Sequence, residues 1–211
     1  MIIAIEGASA AGKTTWCRAH CPKLCVPESP ENIAAPDLFA DSPQVARFWV
    51  DHNIANWQRA LAIEQTHGTA VCDGDPFHLY FSWALWKSGT LDRRLFDLER
   101  ELYRDAFEHQ RIGFVDQVFW LEVPEVELRR RAKLDGTRRR KRHAMYLSLL
   151  PWMKAWFDAR ERLLPGGVLP LAADLRSEGL FGGSSPRRYD LALMDAFLSA
   201  VMDSRRMQTG H

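Results

Sequence analysis

The sequence lacks the features that mark membrane, secreted and nucleic-acid-binding proteins. Its 28 basic and 27 acidic residues give a formal net charge of +1, so no excess of positive charge indicates a nucleic-acid partner. No apolar run approaches the roughly 20 residues that a membrane-spanning helix needs. Residues 1–5 are apolar, but they are too few for a signal peptide and carry no basic lead. We therefore predict a cytoplasmic protein that binds neither membrane nor nucleic acid.

Cysteine is scarce as well, with four residues in 211. Cys17, Cys21 and Cys25 are spaced four apart, which would suit a metal site if a second pair of ligands followed. No Cys or His pair with the spacing of a zinc finger follows. We interpret the cysteines as reduced thiols, in agreement with a cytosolic protein.

Short apolar runs alternate with longer amphipathic segments along the whole chain. Strands are predicted at 2–5, 24–26, 69–72, 113–123 and 168–172. Helices are predicted at 13–21, 42–67, 75–89, 91–110, from 124 onward, and at 143–164 and 186–202. This alternation, without repeats, predicts one α/β domain over residues 1–211. Its five-stranded parallel sheet should carry helices on both faces.

Residues 7–14 read G-A-S-A-A-G-K-T and match the Walker A pattern at every required position. They lie between the first predicted strand and helix, where backbone N–H groups can wrap a polyphosphate. Lys13 should reach the β- and γ-phosphates, the Thr14 hydroxyl should bind Mg²⁺, and Thr15 should touch the α-phosphate. The predicted cofactors are therefore ATP and Mg²⁺. The predicted nucleotide-binding residues are Gly7, Ala8, Ser9, Ala10, Ala11, Gly12, Lys13, Thr14 and Thr15.

Acidic residues follow the second and third predicted strands, at the sheet edge where open α/β sheets bind ligands. Glu28 is the candidate general base that takes a proton from the phosphate acceptor; otherwise it is a solvated loop residue. Asp73 is predicted to hold Mg²⁺; otherwise it caps the strand end. Asp75 either contacts the acceptor or caps the next helix, because Asp before Pro is a common helix start.

Residues 129–142 contain nine Lys or Arg in fourteen positions. Arginines that close over a transferring phosphoryl group stabilise its negative charge. We predict an arginine-rich lid at about 129–143 with Gly136 as hinge, in which Arg138, Arg139 and Arg142 take part in catalysis. The alternatives are a solvated basic surface or a nucleic-acid contact.

Eight tryptophans are many for this length. Trp49, Asn53 and Trp57 share one helix face, beside Gln58, so these four residues are candidates for stacking and hydrogen bonding a flat acceptor ring. A second aromatic cluster follows at Phe77, Tyr80, Phe81, Trp83 and Trp86. The alternative is that such stripes form the core or a subunit interface.

Four segments together resemble the deoxynucleoside kinases and the neighbouring thymidylate kinases. They are 7–15, the V-P-E-S-P stretch at 26–30, the V-C-D-G-D stretch at 71–75, and the basic segment followed by Tyr146, Leu147 and Trp156. The resemblance implies a P-loop NTPase fold, Glu28 as general base, and pairing of two copies as a homodimer. The chain departs from the family at Gly74, where the family has an arginine.

We therefore predict a Mg-ATP-dependent kinase that acts on a small-molecule acceptor, a nucleoside or a nucleoside monophosphate. One alternative is a kinase for another hydroxylated molecule, such as an antibiotic or a biosynthetic intermediate, which the missing arginine at Gly74 favours. The other is a nucleotide-binding module without kinase activity. Glu28 and the basic lid argue against it, because a sensor needs neither.

Overall fold

The computed structural model describes residues 1–28, 34–40, 42–135, 142–171 and 184–203. In these ranges the strands are β1 Ile2–Gly7, β2 Cys25–Val26, β3 Ala70–Asp73, β4 Gln117–Leu121 and β5 Val168–Pro170. The helices are α1 Lys13–His20, α2 Ser42–His67, α3 Leu79–Lys87, α4 Arg94–Glu108, α5 Glu125–Leu134, α6 His143–Ser148, α7 Leu150–Leu163 and α8 Leu191–Asp203. None of the helices described is long and apolar enough to cross a membrane.

The strands form one five-stranded sheet in the order β2-β3-β1-β4-β5. Every pair of neighbours is parallel, and Ile3 of the central strand pairs with Val71 on one side and Gln117 on the other. All six residues of β1 are buried, as expected for the centre of a sheet covered on both faces. The predicted five-stranded parallel sheet is confirmed.

Residues of β1 alternate between the two sides of the sheet. Ile2 and Ala4 pack into the large layer that includes α2, α3, α7 and α8, whereas Ile3 and Ile5 pack with Cys17 of α1. Glu6 continues the first series, so its carboxyl group enters the large helical layer. The carboxyl ends of β1, β2 and β3 meet at one edge, where the phosphate loop, Glu28 and Asp73 lie.

Aromatic side chains fill the large layer. The Phe77 ring meets Tyr103, Phe107 and Phe114 edge to face, with centroids 5.2 to 5.5 Å apart. Trp83 and Trp156 are fully buried beside them. Phe77 and Trp83 of the second aromatic cluster are therefore core residues, as the alternative interpretation of that cluster predicted.

Several predicted boundaries were wrong. Residues 143–164 form two helices, α6 and α7, instead of one. In a continuous helix, the ring of Pro151 would clash with the carbonyl group of residue 147. Strand β4 begins at Gln117 and not at residue 113, since the Phe114 N–H donates to the Arg188 carbonyl oxygen at 2.9 Å instead of to a neighbouring strand. The predicted helix at 42–67 agrees with α2.

The four cysteines are free thiols. Cys17 lies on α1, Cys21 directly follows that helix, Cys25 lies in β2 and Cys72 in β3. No group of three or more His, Cys, Asp or Glu side chains suited to a metal ion occurs among the described residues.

Candidate active site

The phosphate loop joins β1 to α1 in a conformation that depends on its two glycines. A Cβ at Gly7 would lie 2.7 Å from the Leu121 carbonyl oxygen on β4, so a side chain does not fit. Gly12 has φ of 106°, a left-handed conformation that favours glycine. The α1 N-terminus has no side-chain cap hydrogen bond. Its first N–H groups therefore suit phosphate oxygens.

The Thr14 hydroxyl and the Asp73 carboxylate meet beside this loop. Thr14 Oγ1 donates a 2.6 Å hydrogen bond to Asp73 Oδ2. Mg²⁺ prefers oxygen ligands and is usually held by one or two protein groups together with substrate phosphates. The pair predicted to hold Mg²⁺ therefore fits that ion in chemistry and in position. Thr15, the next residue along α1, is exposed.

Glu28 lies just beyond β2 with its carboxylate half exposed. An ideal Cβ on Gly74 would be 3.6 Å from Glu28 Cγ, so Glu28 packs directly on the turn after β3. The Glu28 carbonyl oxygen lies 2.8 Å from His52 Nε2 and accepts from Asn56 Nδ2 at 3.1 Å. On the side chain, Glu28 Oε1 lies 4.0 Å from His78 Nε2. Burial, Lys13 and His52 lower the pKa of His78 to about 3, so this imidazole is neutral near pH 7.

Lys13 is the cation among these carboxylates. Its Nζ donates to the Gly7 carbonyl oxygen at 3.1 Å. Burial alone would lower the pKa of Lys13, but the charges of Glu28, Glu6 and Asp73 outweigh burial and raise it. Lys13 is therefore charged, and it stands within the electrostatic reach of the predicted base and of the predicted metal ligand.

Sequence reasoning missed Glu6. This fully buried carboxylate accepts hydrogen bonds from the Asp75 N–H at 2.6 Å, the Tyr80 hydroxyl at 2.9 Å and the Gly7 N–H at 3.2 Å. Burial raises the pKa of Glu6 to about 7, against the opposing effect of Lys13. The available signal was a charged residue at the end of an apolar strand, immediately before the phosphate loop.

Asp75 is held inside the protein by a buried ion pair. Its Oδ2 accepts from Arg160 Nη1 at 2.8 Å and its Oδ1 accepts from the Phe77 N–H at 3.0 Å. Arg160 also donates to the Val115 carbonyl oxygen at 2.6 Å. The bond to Phe77 closes a turn before α3, and the predicted helix cap at Asp75 was wrong, because α3 begins at Leu79 with His78 at its N-cap. Contact of Asp75 with the acceptor stays a prediction, and sequence reasoning did not identify Arg160.

The predicted stacking face on α2 is largely engaged within the fold. Asn53 donates to the Tyr103 hydroxyl at 2.8 Å, and Gln58 donates to the Arg111 carbonyl oxygen at 3.1 Å. Trp57 is 0% exposed and packs against Tyr189, whereas Trp49 is only partly buried. The residues of α2 that contact Glu28 are instead His52 and Asn56, which nothing in the sequence singled out.

In the described part of the basic segment, one arginine contacts the phosphate loop and another contacts the 34–40 segment. Arg131 Nη1 donates to the Ala11 carbonyl oxygen of the phosphate loop at 2.6 Å. Arg142 pairs with Asp37 at 3.0 Å and covers the Phe39 ring. Arg138 and Arg139 lie outside the described residues, so the predicted lid conformation stays a prediction.

This architecture is a P-loop NTPase fold, as predicted: a parallel sheet whose central strand leads into the phosphate loop. No protein-family model and no curated protein sequence matches the chain. Solved structures do match, and those of a deoxynucleoside kinase among them confirm the predicted resemblance at the level of the fold.

Three of these structures are of deoxyadenosine kinase from M. mycoides. The one with bound dATP has a TM-score of 0.56 at 15% identity, covering 94% of this chain and 100% of its own. The one with the products dCMP and dCDP has a TM-score of 0.56 at 16% identity, with 95% and 100% coverage. The one with bound dCTP has a TM-score of 0.53 at 14% identity, with 94% and 100% coverage. At this identity the likeness concerns the fold.

Proposed function

We propose that this protein is a Mg-ATP-dependent kinase that phosphorylates a nucleoside or a nucleoside monophosphate. The observation that carries the proposal is the convergence of Lys13, Asp73 and Glu28 at the carboxyl edge of the sheet. Lys13 and the loop suit the donor, and Glu28 stands across the Gly74 turn with its carboxylate half exposed. The match in fold to a deoxyadenosine kinase seen with dATP and dCTP supports the same reaction.

With a nucleoside as acceptor, Glu28 accepts the proton of the acceptor hydroxyl as the hydroxyl oxygen attacks the γ-phosphorus of ATP; with a nucleoside monophosphate, a phosphate oxygen attacks instead. The bond from that phosphorus to the bridging oxygen breaks, and ADP leaves with the bridging electron pair. Lys13 balances charge on the β- and γ-phosphates. Thr14 and Asp73 would hold Mg²⁺, which supplies further charge neutralisation when bound.

Arginines should add to this stabilisation from the other side of the acceptor. Burial and the charge of Glu28 raise the pKa of Tyr146, whereas the charge of Arg142 lowers it. Arg142 and Glu28 therefore both influence the ionisation of the Tyr146 phenol. We assign charge stabilisation to Arg142, and to Arg138 and Arg139 on the grounds of the sequence.

One observation favours a second class of acceptor. Gly74 has no side chain at the position where the resemblance predicts an arginine, and both Glu28 and Glu6 lie within 4 Å of the place where its Cβ would be. A site without that arginine suits an acceptor with different polar groups. The alternative is therefore a kinase for another hydroxylated small molecule.

An acceptor screen tests the proposal. Purified protein with Mg-ATP is incubated with nucleosides, nucleoside monophosphates and other hydroxylated compounds, and the products are identified by mass spectrometry. We expect a phosphorylated nucleoside or nucleotide with the wild type and none with Lys13→Met, which removes the phosphate-binding cation. Products confined to other alcohols would establish the alternative. ATP binding without any product would contradict both kinase assignments.

A further inference from the structure

Glu6 is a buried carboxyl group that the proposed reaction does not use. It lies in the central strand, and its three hydrogen bonds come from neutral donors: two backbone N–H groups and the Tyr80 hydroxyl. A buried carboxylate without a directly bonded cation is costly in free energy. An apolar residue would fill this strand position without that cost. A role for the three hydrogen bonds would explain why the position holds a glutamate.

Those bonds join the donor side of the site to the acceptor side. The Gly7 N–H belongs to the start of the phosphate loop. The Asp75 N–H belongs to the turn that follows the predicted metal ligand Asp73. The Tyr80 hydroxyl comes from α3, two residues beyond His78, which faces Glu28. One carboxyl group thus holds three segments that carry site residues.

Gly74 lies between the carboxyl groups of Glu6 and Glu28. An ideal Cβ on Gly74 would be 3.7 Å from Glu6 Oε1 and 3.6 Å from Glu28 Cγ. The Gly74 N–H also donates to the Ile5 carbonyl oxygen at 3.1 Å, which fixes the turn to β1. A displacement of this turn would therefore move the surface on which the predicted base packs.

The charges around Glu6 agree with a place inside the site. Lys13, Asp75 and Glu28 all act on its ionisation, and Glu6 in turn acts on Lys13, Tyr80 and Arg160. These groups come from α1, the turn after β3, the segment after β2, α3 and α7.

We propose that Glu6 is a positioning residue that holds the Asp73–Asp75 turn and α3 in register with the phosphate loop during phosphoryl transfer. The inference rests on the proposed function. A small misplacement of reacting groups slows transfer strongly while the phosphate loop still binds ATP. The effect should therefore fall on kcat for transfer and much less on the KM for ATP.

Three variants of the network test the role. Glu6→Ala removes all three bonds, Glu6→Gln keeps an amide oxygen for Asp75 and Tyr80, and Tyr80→Phe removes one bond with little change in shape. We expect kcat to fall about tenfold or more in Glu6→Ala and by less in the other two, with the KM for ATP within about twofold of wild type. If Glu6→Ala does not fold, the other two variants decide: both must lower kcat while leaving the KM for ATP unchanged.

Glu99→Gln is the matched control, because Glu99 is also buried, on α4, where it accepts from Ser82 at 2.6 Å. It should leave both constants at wild-type values. Wild-type kcat in the folded Glu6 variants, or a parallel loss of kcat and ATP binding, would overturn the positioning role. A wild-type protein that transfers phosphate to no acceptor would overturn the proposed function itself, and the inference with it.

Discussion

The Thr14 hydroxyl donates to the Asp73 carboxylate across 2.6 Å, and this bond connects the start of α1 to the end of β3. The two strands that lead to these residues are neighbours, with Ile5 of β1 opposite Asp73. The sheet register therefore sets Asp73 level with the phosphate loop. Two oxygen ligands placed in this way fit a magnesium ion that also binds phosphates.

Asp73→Asn should raise the Mg²⁺ concentration needed for half-maximal activity by about tenfold, because it removes the charge of one ligand while keeping its shape. The measurement is a Mg²⁺ titration of ATP turnover. Asp51→Asn, at an exposed carboxylate on α2, is the control and should leave the titration unchanged. An unaltered Mg²⁺ requirement in Asp73→Asn would remove Asp73 from the metal site.

Arg131→Ala should weaken ATP binding several-fold, because Arg131 donates to the Ala11 carbonyl oxygen and so supports the phosphate loop. Arg129→Ala is the control, because Arg129 lies on the same helix but pairs with Glu125 at the surface. Titration calorimetry of both variants with Mg-ATP makes the comparison. Equal affinities would mean that the contact of Arg131 with the loop is not used in binding.

Most of the fold could be predicted because its signals are local. Apolar runs, glycine and proline positions and a complete phosphate-loop motif sufficed for five parallel strands and for α2 at Ser42–His67. The break between α6 and α7 was missed, although Pro151 marks it. A proline near the middle of an amphipathic segment is compatible with a helix start as well as with a break.

Residues of the candidate site could be predicted only where they directly follow the end of a strand. Lys13, Glu28 and Asp73 lie together because parallel strands bring their carboxyl ends to one edge. Arg160 could not be found in this way, since its partner Asp75 is 85 residues away and an arginine on an amphipathic helix suggests a solvent-exposed face. Trp57 was assigned to a ligand-binding face, but helical spacing does not say which face of α2 meets the core.

Glu99 gives the protein a measurable dependence of stability on pH. Burial raises the pKa of this carboxyl group to about 8, from 4.5 in the unfolded chain. Between these values the folded state keeps a proton that the unfolded state has released, so stability falls as the pH rises. Glu99→Gln removes this loss. From pH 5 to pH 8 it should gain on the order of 3 kcal/mol relative to wild type.

Urea unfolding at pH 5, 6.5 and 8 measures this difference. The control is Glu101→Gln, at an exposed position on the same helix, which should follow the wild-type curve. Parallel curves for Glu99→Gln and wild type across the whole range would show that Glu99 is ionised in the folded protein.

In the proposed function, Glu28 serves phosphoryl transfer to an acceptor and not the binding of ATP. The most direct measurement compares wild type with Glu28→Gln for Mg-ATP affinity by calorimetry and for transfer to the acceptor found by screening. We predict that transfer falls by a factor of about 100 or more while the affinity for Mg-ATP stays within about twofold. Transfer at the wild-type rate, or an equal loss of transfer and of ATP binding, would contradict the assignment of Glu28 as the base.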